Sequence, residues 1–263
     1  MNTPATNGLA GSAYLGEEHE LLRAQIRRFV DEEIKPHALA WEQDGMVPRE
    51  VLCRMGGLGF FGIRYPVEYG GSDLSTLATV VLAEELGRST FSGVAIMALV
   101  HTDMASVHLF KGGSHTMKDR VMPDVVAGKK IVAVAVTEPG AGSDVKAIRT
   151  SARRDGDSYV LNGAKMFITN GVHADLYCGA AVTNPEARPS QRLSMLLVEK
   201  ATPGFRVSRA LDKQGWRSSD TAELVFEDCR VPAENLLGEE GQGFYAIMHN
   251  FQNDRTLIGA MAM

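Results

Sequence analysis

Two segments carry residue types and spacings suited to holding a ligand. In TEPGAGSD, Thr137 to Asp144, an apolar run ends at Pro139 with two glycines close behind, Gly140 and Gly142. Glycines let backbone N–H groups come close to a bound molecule, and the hydroxyls of Thr137 and Ser143 can donate or accept hydrogen bonds. The same residues also serve a tight turn between strands, so this segment alone leaves both uses open. In NGAKMFITNG, Asn162 to Gly171, an aromatic ring, Phe167, stands two residues before a hydroxyl, Thr169. On a strand that spacing puts both on one side of the sheet. A flat heterocycle could stack and be hydrogen-bonded there; a core Phe beside a surface Thr is the plainer reading of the same pair.

Other candidates carry less. Gly57, Gly59 and Gly62 have the G-x-G-x-x-G spacing of a dinucleotide loop, but that loop needs a strand before it and a helix after it. Here a helical pattern precedes and Tyr65-Pro66 follows, so the glycines read as a helix exit and a turn. His101 and His108 share a helical face with no carboxylate or cysteine at ligand spacing, and read as packed or solvated histidines. Cys53, Cys178 and Cys229 are scattered and odd in number, which predicts reduced thiols and no metal site.

The elements that must position these segments fall into three stretches. Leu22, Ile26, Phe29, Val30 and Ile34 recur at helical spacing between charged residues, predicting an amphipathic helix from Glu18 to about His37 that Pro36 bends or ends. Further helices are expected at Arg49 to Met55, Ser75 to Leu86 with Gly87 as its stop, Gly93 to Phe110, and Thr116 to Val126. At Lys129 and Lys130 the pattern changes to short β-rich runs, IVAVAVTE, DSYVLNGAKMFIT, ADLYCGAAVT, LSMLLVEK and TAELVFED, separated by Gly, Pro, Asn and Asp. Strands so closely spaced, with no helices between them, fit an antiparallel barrel or sandwich better than a parallel sheet. The chain turns helical again from Phe244 to Met263, where it stops while the apolar pattern is still running. The expected organisation is α+β: an all-α domain over residues 1–127, a β domain over 128–240, and over 241–263 the first helix of a C-terminal helical bundle that is largely missing.

Composition bounds the partners. At about 150 residues per domain, 263 residues make one to two domains. Hydrophobic residues at 44% and charged residues at 22% are ordinary globular usage. Lys+Arg 27 against Asp+Glu 32 leaves a net charge of -5, without the basic excess that a nucleic-acid backbone calls for. The longest apolar run, Val94 to Val100, is closed by His101, Thr102 and Asp103, and no membrane span is expected. The N-terminal MNTPATNGLAGSAYLGEEHE lacks a basic start followed by an apolar core, so neither a secretory nor a transit signal is expected and a cytoplasmic location follows by default.

TEPGAGSD, then KMFITNG, then SSDT with FEDCRVP, in that order, resemble the acyl-CoA dehydrogenase family. RYPVEYGG, from Arg64, is similar to the family's helical N-terminal signature, and GQGFYAIMHNFQNDR to the start of its C-terminal helical domain. The resemblance covers nearly the whole chain. It implies a flavoprotein of fatty acid metabolism that oxidises an acyl-CoA thioester to its 2,3-enoyl product: a carboxylate removes the α proton while the β hydrogen passes as hydride to N5 of FAD. The protein orients the reactants and polarises the thioester, and the flavin carries the electrons. An electron-transfer flavoprotein is the implied acceptor, and the full-length form is expected to be a homo-oligomer.

The resemblance also assigns residues. Val134, Ala135, Val136, Thr137, Glu138, Pro139, Gly140, Ala141, Gly142 and Ser143 are expected to line the flavin, with Phe167, Ile168 and Thr169 against its ring. Phe167 stands where many relatives carry Trp. Ser143, Tyr245, Asp254 and Arg255 match positions along the acyl-CoA. In one branch of the family the catalytic Glu immediately precedes the Arg that here is Arg255, and this chain has Asp254 there; in another branch the base comes from the C-terminal domain. Asp is one methylene shorter than Glu, and displacements of about 1 Å can cost 10²-fold in rate. Two other functions stay open on the same fold: a non-catalytic fragment that binds flavin or acyl-CoA, and a flavin oxidase or monooxygenase.

Overall fold

The computed structural model describes residues 14–263, so most of the N-terminal stretch read above for targeting signals, residues 1–13, lies outside the described residues. Helix α1, Glu17–Phe29, runs on into one π-helical turn, Val30–Ile34, and ends before Pro36. Its apolar stripe, Ile26, Phe29, Val30 and Ile34, is buried. Short helices α2, Ala38–Asp44, and α3, Arg49–Gly57, follow, and then α4, Thr76–Gly87. Buried Arg23 bonds Glu84 at 2.7 Å and Glu85 at 2.9 Å and Arg27 also reaches Glu85, stitching α1 to α4, while Arg88 at the end of α4 adds a third guanidinium to Glu85. Burial alone would push the Glu85 carboxyl up; the hydrogen bonds from the three guanidinium groups outweigh it and hold it below the ordinary carboxylate range.

The single helix expected from Gly93 to Phe110 is in fact three pieces: α5, Ser92–Leu99, a π-helical turn, Val100–Ala105, and α6, Ser106–Gly112. Wider π turns loosen the i→i−4 ladder, and here outside groups engage the turn. Tyr65 donates to the Thr102 carbonyl, and the Thr102 hydroxyl donates to Phe61 O at 3.0 Å. Ser92–Gly112 is long and apolar enough to cross a bilayer, yet 94% of its apolar window is buried within the protein, which makes it a core helix. Helix α7, His115–Val126, closes the helical part.

Among the described residues eight strands form one sheet: β1 Val132–Ala135, β2 Ser151–Asp155, β3 Ser158–Thr169, β4 Leu176–Val182, β5 Leu193–Glu199, β6 Phe205–Ala210, β7 Thr221–Pro232 and β8 Leu236–Leu237. Their order is β6-β7-β3-β2-β4-β5-β8, with β1 added to β4. Most pairs are antiparallel, but β1 lies parallel to β4, and β2 meets β4 in one parallel pair. β2 and β6 lie outside the expected strands because SARRD and FRVSRA are mostly exposed and their arginines interrupt any apolar run. β1, β4 and β5 are the reverse case. Ala133, Tyr177 and Leu196 face the core shared with the helices, whereas Val132, Cys178 and Leu197 face a second core beneath α6 and α7. Both faces being covered, these strands are continuous apolar runs. Helix α8, Gly243–Met261, returns across the helical part against α4, and a Cβ on Gly87 would meet Met261 O at 2.1 Å, so only glycine permits that approach.

Candidate active site

The loop that follows β1 is laid against β3. Met166 N donates to Thr137 O at 2.9 Å, and wholly buried Lys165 donates from Nζ to Val136 O at 3.1 Å and to Glu138 Oε1 at 2.8 Å. Glu138 also accepts from the backbone of Arg149 at 2.7 Å and of Thr150 at 3.0 Å. Burial pulls Lys165 down to about 8, and the adjacent carboxylate keeps it from falling further. Glu138 moves down from the carboxylate range, because the Lys165 charge and these hydrogen bonds outweigh its burial. The two segments read as candidate ligand loops are therefore joined by a buried ion pair.

Side chains divide at this joint. Ala135, Val136, Glu138, Ala141 and Ile168 are buried and support the loop and strand from beneath. Val134 and Thr137 are part-exposed, and Pro139, Gly140, Gly142 and Ser143 are open. The N–H groups of Gly140, Gly142 and Ser143 have no hydrogen-bond partner among the described residues, and nothing lies within 4 Å of a Cβ built on either glycine. A register shift between Lys165 and Ile168 puts Phe167 at φ 59, a rare conformation for a bulky residue, and leaves its ring 63% exposed. Ile168 turns inward, and Thr169 is part-exposed beside it. Free backbone donors, an open aromatic face and a hydroxyl on adjoining elements make a donor set that suits a flat heteroaromatic ring carrying carbonyl and nitrogen acceptors.

Helix α8 borders the same loop, with the Lys146 ammonium 5.2 Å from the centre of the Phe244 ring. Tyr245 is 46% exposed and its hydroxyl lies 3.3 Å from Ser190 Oγ; Arg255 is exposed farther along the helix. Asp254 is half-buried beside the π turn. Asn250 donates to its Oδ1 at 3.1 Å, and Arg64 bridges Asp103 Oδ1 at 3.3 Å and Asn253 Oδ1 at 2.7 Å. Burial first, then the neighbouring Asp103 carboxyl, raises Asp254 to about 7, against the pull of Arg255. Burial likewise raises Asp103 to about 7, opposed by Arg64. A carboxyl poised near neutrality can take up a proton in the physiological range.

The remaining candidates are structural. His101 is buried between α7 and β1, with Nε2 3.1 Å from Val125 O and Nδ1 accepting from Val132 N at 3.1 Å. Gly57 ends α3, and turns follow it rather than a second helix. The three cysteines are free, and no metal-binding cluster occurs among the described residues.

The chain matches the family models of the acyl-CoA dehydrogenase N-terminal domain over residues 16–129 and of the acyl-CoA dehydrogenase middle domain over residues 133–229. It belongs to the acyl-CoA dehydrogenase family. It is 42% identical over 247 residues to the mitochondrial long-chain specific acyl-CoA dehydrogenase of Mus musculus, a match covering 94% of this chain and 57% of that relative. The crystal structure of an acyl-CoA dehydrogenase from Geobacillus kaustophilus superposes with a TM-score of 0.89 at 42% identity, covering 95% of this chain and 65% of that one. An acyl-CoA dehydrogenase from Bacillus anthracis, solved in complex with FAD, superposes with a TM-score of 0.87 at 32% identity, covering 94% and 43%. The chain thus spans less than two thirds of the length of these acyl-CoA dehydrogenases.

Three features around this candidate site go beyond the sequence expectations. Lys165 lies inside NGAKMFITNG, and a lysine set between Ala164 and the run Met166 to Ile168 is itself a signal for a buried ion pair. Asn250 stands four residues before Asp254, which on a helix is contact distance. The Arg64–Asp103 contact joins residues 39 apart and left no local mark.

Proposed function

We propose that this chain forms the flavin- and acyl-CoA-binding part of an FAD-dependent acyl-CoA dehydrogenase that oxidises the Cα–Cβ bond of an acyl-CoA thioester. The observation that carries the reading is the convergence of the Thr137–Asp144 loop, the Phe167–Thr169 strand end and the start of α8, joined through the Lys165–Glu138 pair and the Lys146–Phe244 contact. The residues fit a flavin. Thr137 and the free N–H groups of Gly140, Gly142 and Ser143 would hold its polar edge, and Phe167 and Thr169 its ring. A bound flavin supplies the two-electron acceptor for the reaction.

The chain's own residues supply the rest. Asp254, ionised above pH about 7, takes the α proton onto its carboxylate. Tyr245 and Arg255, exposed on α8, and Ser143, open on the loop, would lie along the acyl-CoA, as the resemblance implies. The resemblance also points to an electron-transferring flavoprotein as acceptor and to assembly as a homo-oligomer. The test is the visible spectrum of the chain after loading with FAD and removing the excess, followed by anaerobic titration with acyl-CoA thioesters of varied length. Flavin bands that bleach with one class of thioester support the reading, and flavin retained without bleaching by any of them counts against dehydrogenation.

A further inference from the structure

We propose that Asn250 is a positioning residue that holds the Asp254 carboxyl in a single orientation toward the reacting carbon; the proposal rests on reading Asp254 as the base. The two side chains are one turn apart on α8, where an amide at i and a carboxylate at i+4 face each other. Asn250 Nδ2 donates to Asp254 Oδ1 at 3.1 Å and to Met104 O at 2.8 Å, so both of its N–H groups are engaged. Met104 belongs to the π turn, Val100–Ala105, and Asn253 uses the same device by donating to Asp103 O at 3.3 Å. Asn250 is thereby clamped to a second element and does not swing with Asp254. It is only 3% exposed, and its Oδ1 has no hydrogen-bond partner among the described residues. Leaving a buried acceptor unmade has a cost that a residue kept merely for packing would avoid.

The consequence falls on the second oxygen of Asp254. With Oδ1 tethered, Oδ2 carries no hydrogen bond among the described residues and is the atom left to accept a proton. A short base has more need of such a tether than a long one, because it cannot reach its target by adjusting an additional bond. The charged groups around Asp254 are Asp103 on the π turn, Arg64, which bridges Asp103 and Asn253, and Arg255 on its own helix.

The test uses the full chain and does not depend on bound flavin. In ¹⁵N and ¹³C NMR titrations the Asn250 side-chain amide signals should move with the ionisation of the Asp254 carboxyl, and that movement should vanish in Asp254→Asn. In Asn250→Ala the Asp254 titration should shift to higher pH by about one unit, since a donor to the ionised form is gone. Asn250 amide signals that ignore the Asp254 titration in the wild-type chain overturn the proposal, whether or not Asn250→Ala folds. In the FAD-loaded chain, Asn250→Ala should slow bleaching by about tenfold to a hundredfold with little change in thioester affinity, and should add no further loss in the Asp254→Asn background. Equal fractional losses in both backgrounds overturn it. If Asp254→Asn bleaches as fast as wild type, the reading of the base fails, and the positioning role falls with it; if only Asn250→Ala is without effect, the positioning role alone fails.

Discussion

Lys165 on β3 and Glu138 in the loop after β1 are 27 residues apart in the chain, and their side chains meet at 2.8 Å in the interior. This pair joins the loop with free backbone donors to the strand end with the open aromatic ring, so the candidate flavin site depends on a contact that no ligand would touch.

Replacing Lys165 with Met should leave the Glu138 carboxylate buried and unpaired, at a cost of about 3–5 kcal/mol. The double variant Lys165→Met with Glu138→Leu should recover much of that loss, because no buried charge is then left alone. Urea denaturation of the three chains checks this; a double variant no more stable than Lys165→Met would show that the ion pair is not what matters.

Phe167 is exposed, so its loss should weaken flavin binding and leave folding nearly unchanged. Phe167→Ala should raise the FAD dissociation constant by about twofold to twelvefold, the worth of about 0.5–1.5 kcal/mol of ring stacking. Phe167→Trp should retain or improve it. Quenching of flavin fluorescence during titration measures both, and equal affinity for Ala and Trp would remove the stacking role.

His101 should make the chain acid-sensitive. Burial lowers its folded pKa to about 4 from 6.5, so the unfolded chain takes up the proton first as the pH falls. The stability it contributes is present above pH 6.5 and lost as the pH drops through about 4, a contribution on the order of 3 kcal/mol. Asp103 works in the opposite direction, its folded pKa of about 7 lying above the ordinary 3.8, so it stabilises the fold as the pH falls through the same window. Melting curves across that range should therefore show a steeper acid loss in Asp103→Asn and a flatter one in His101→Gln.

Flavin bleaching by an acyl-CoA should rise with pH through about 7 as Asp254 ionises. Asp103→Asn removes a neighbouring negative charge that raises Asp254, so the acid limb should move to lower pH by up to about one unit. A stopped-flow pH profile of the two chains reads this shift directly. A limb that stays in place would mean that Asp103 does not reach Asp254 electrostatically.

Much of this protein is legible along the chain. The spacing of Ile26, Phe29, Val30 and Ile34 marks α1, the apolar run from Val132 to Val136 marks a strand covered on both faces, and the order of TEPGAGSD, KMFITNG and FEDCRVP marks the family. Each of these is a local pattern, because burying one face of a helix, or both faces of a strand, leaves its period in the residues themselves. β2 and β6 left no such trace, since their exposed, charged residues form strands only where β3 and β7 offer partners. The π turn at Val100–Ala105 and the bulge at Phe167 are likewise settled by what packs against them. The site follows the same division. Its residue types were visible, but the meeting of Lys165 with Glu138, of Arg64 with Asp103 and of Asn250 with both Met104 and Asp254 was decided by tertiary packing. Sequence spacing records which face of an element is buried, and only the folded chain determines which buried polar groups are close enough to shift one another's charge.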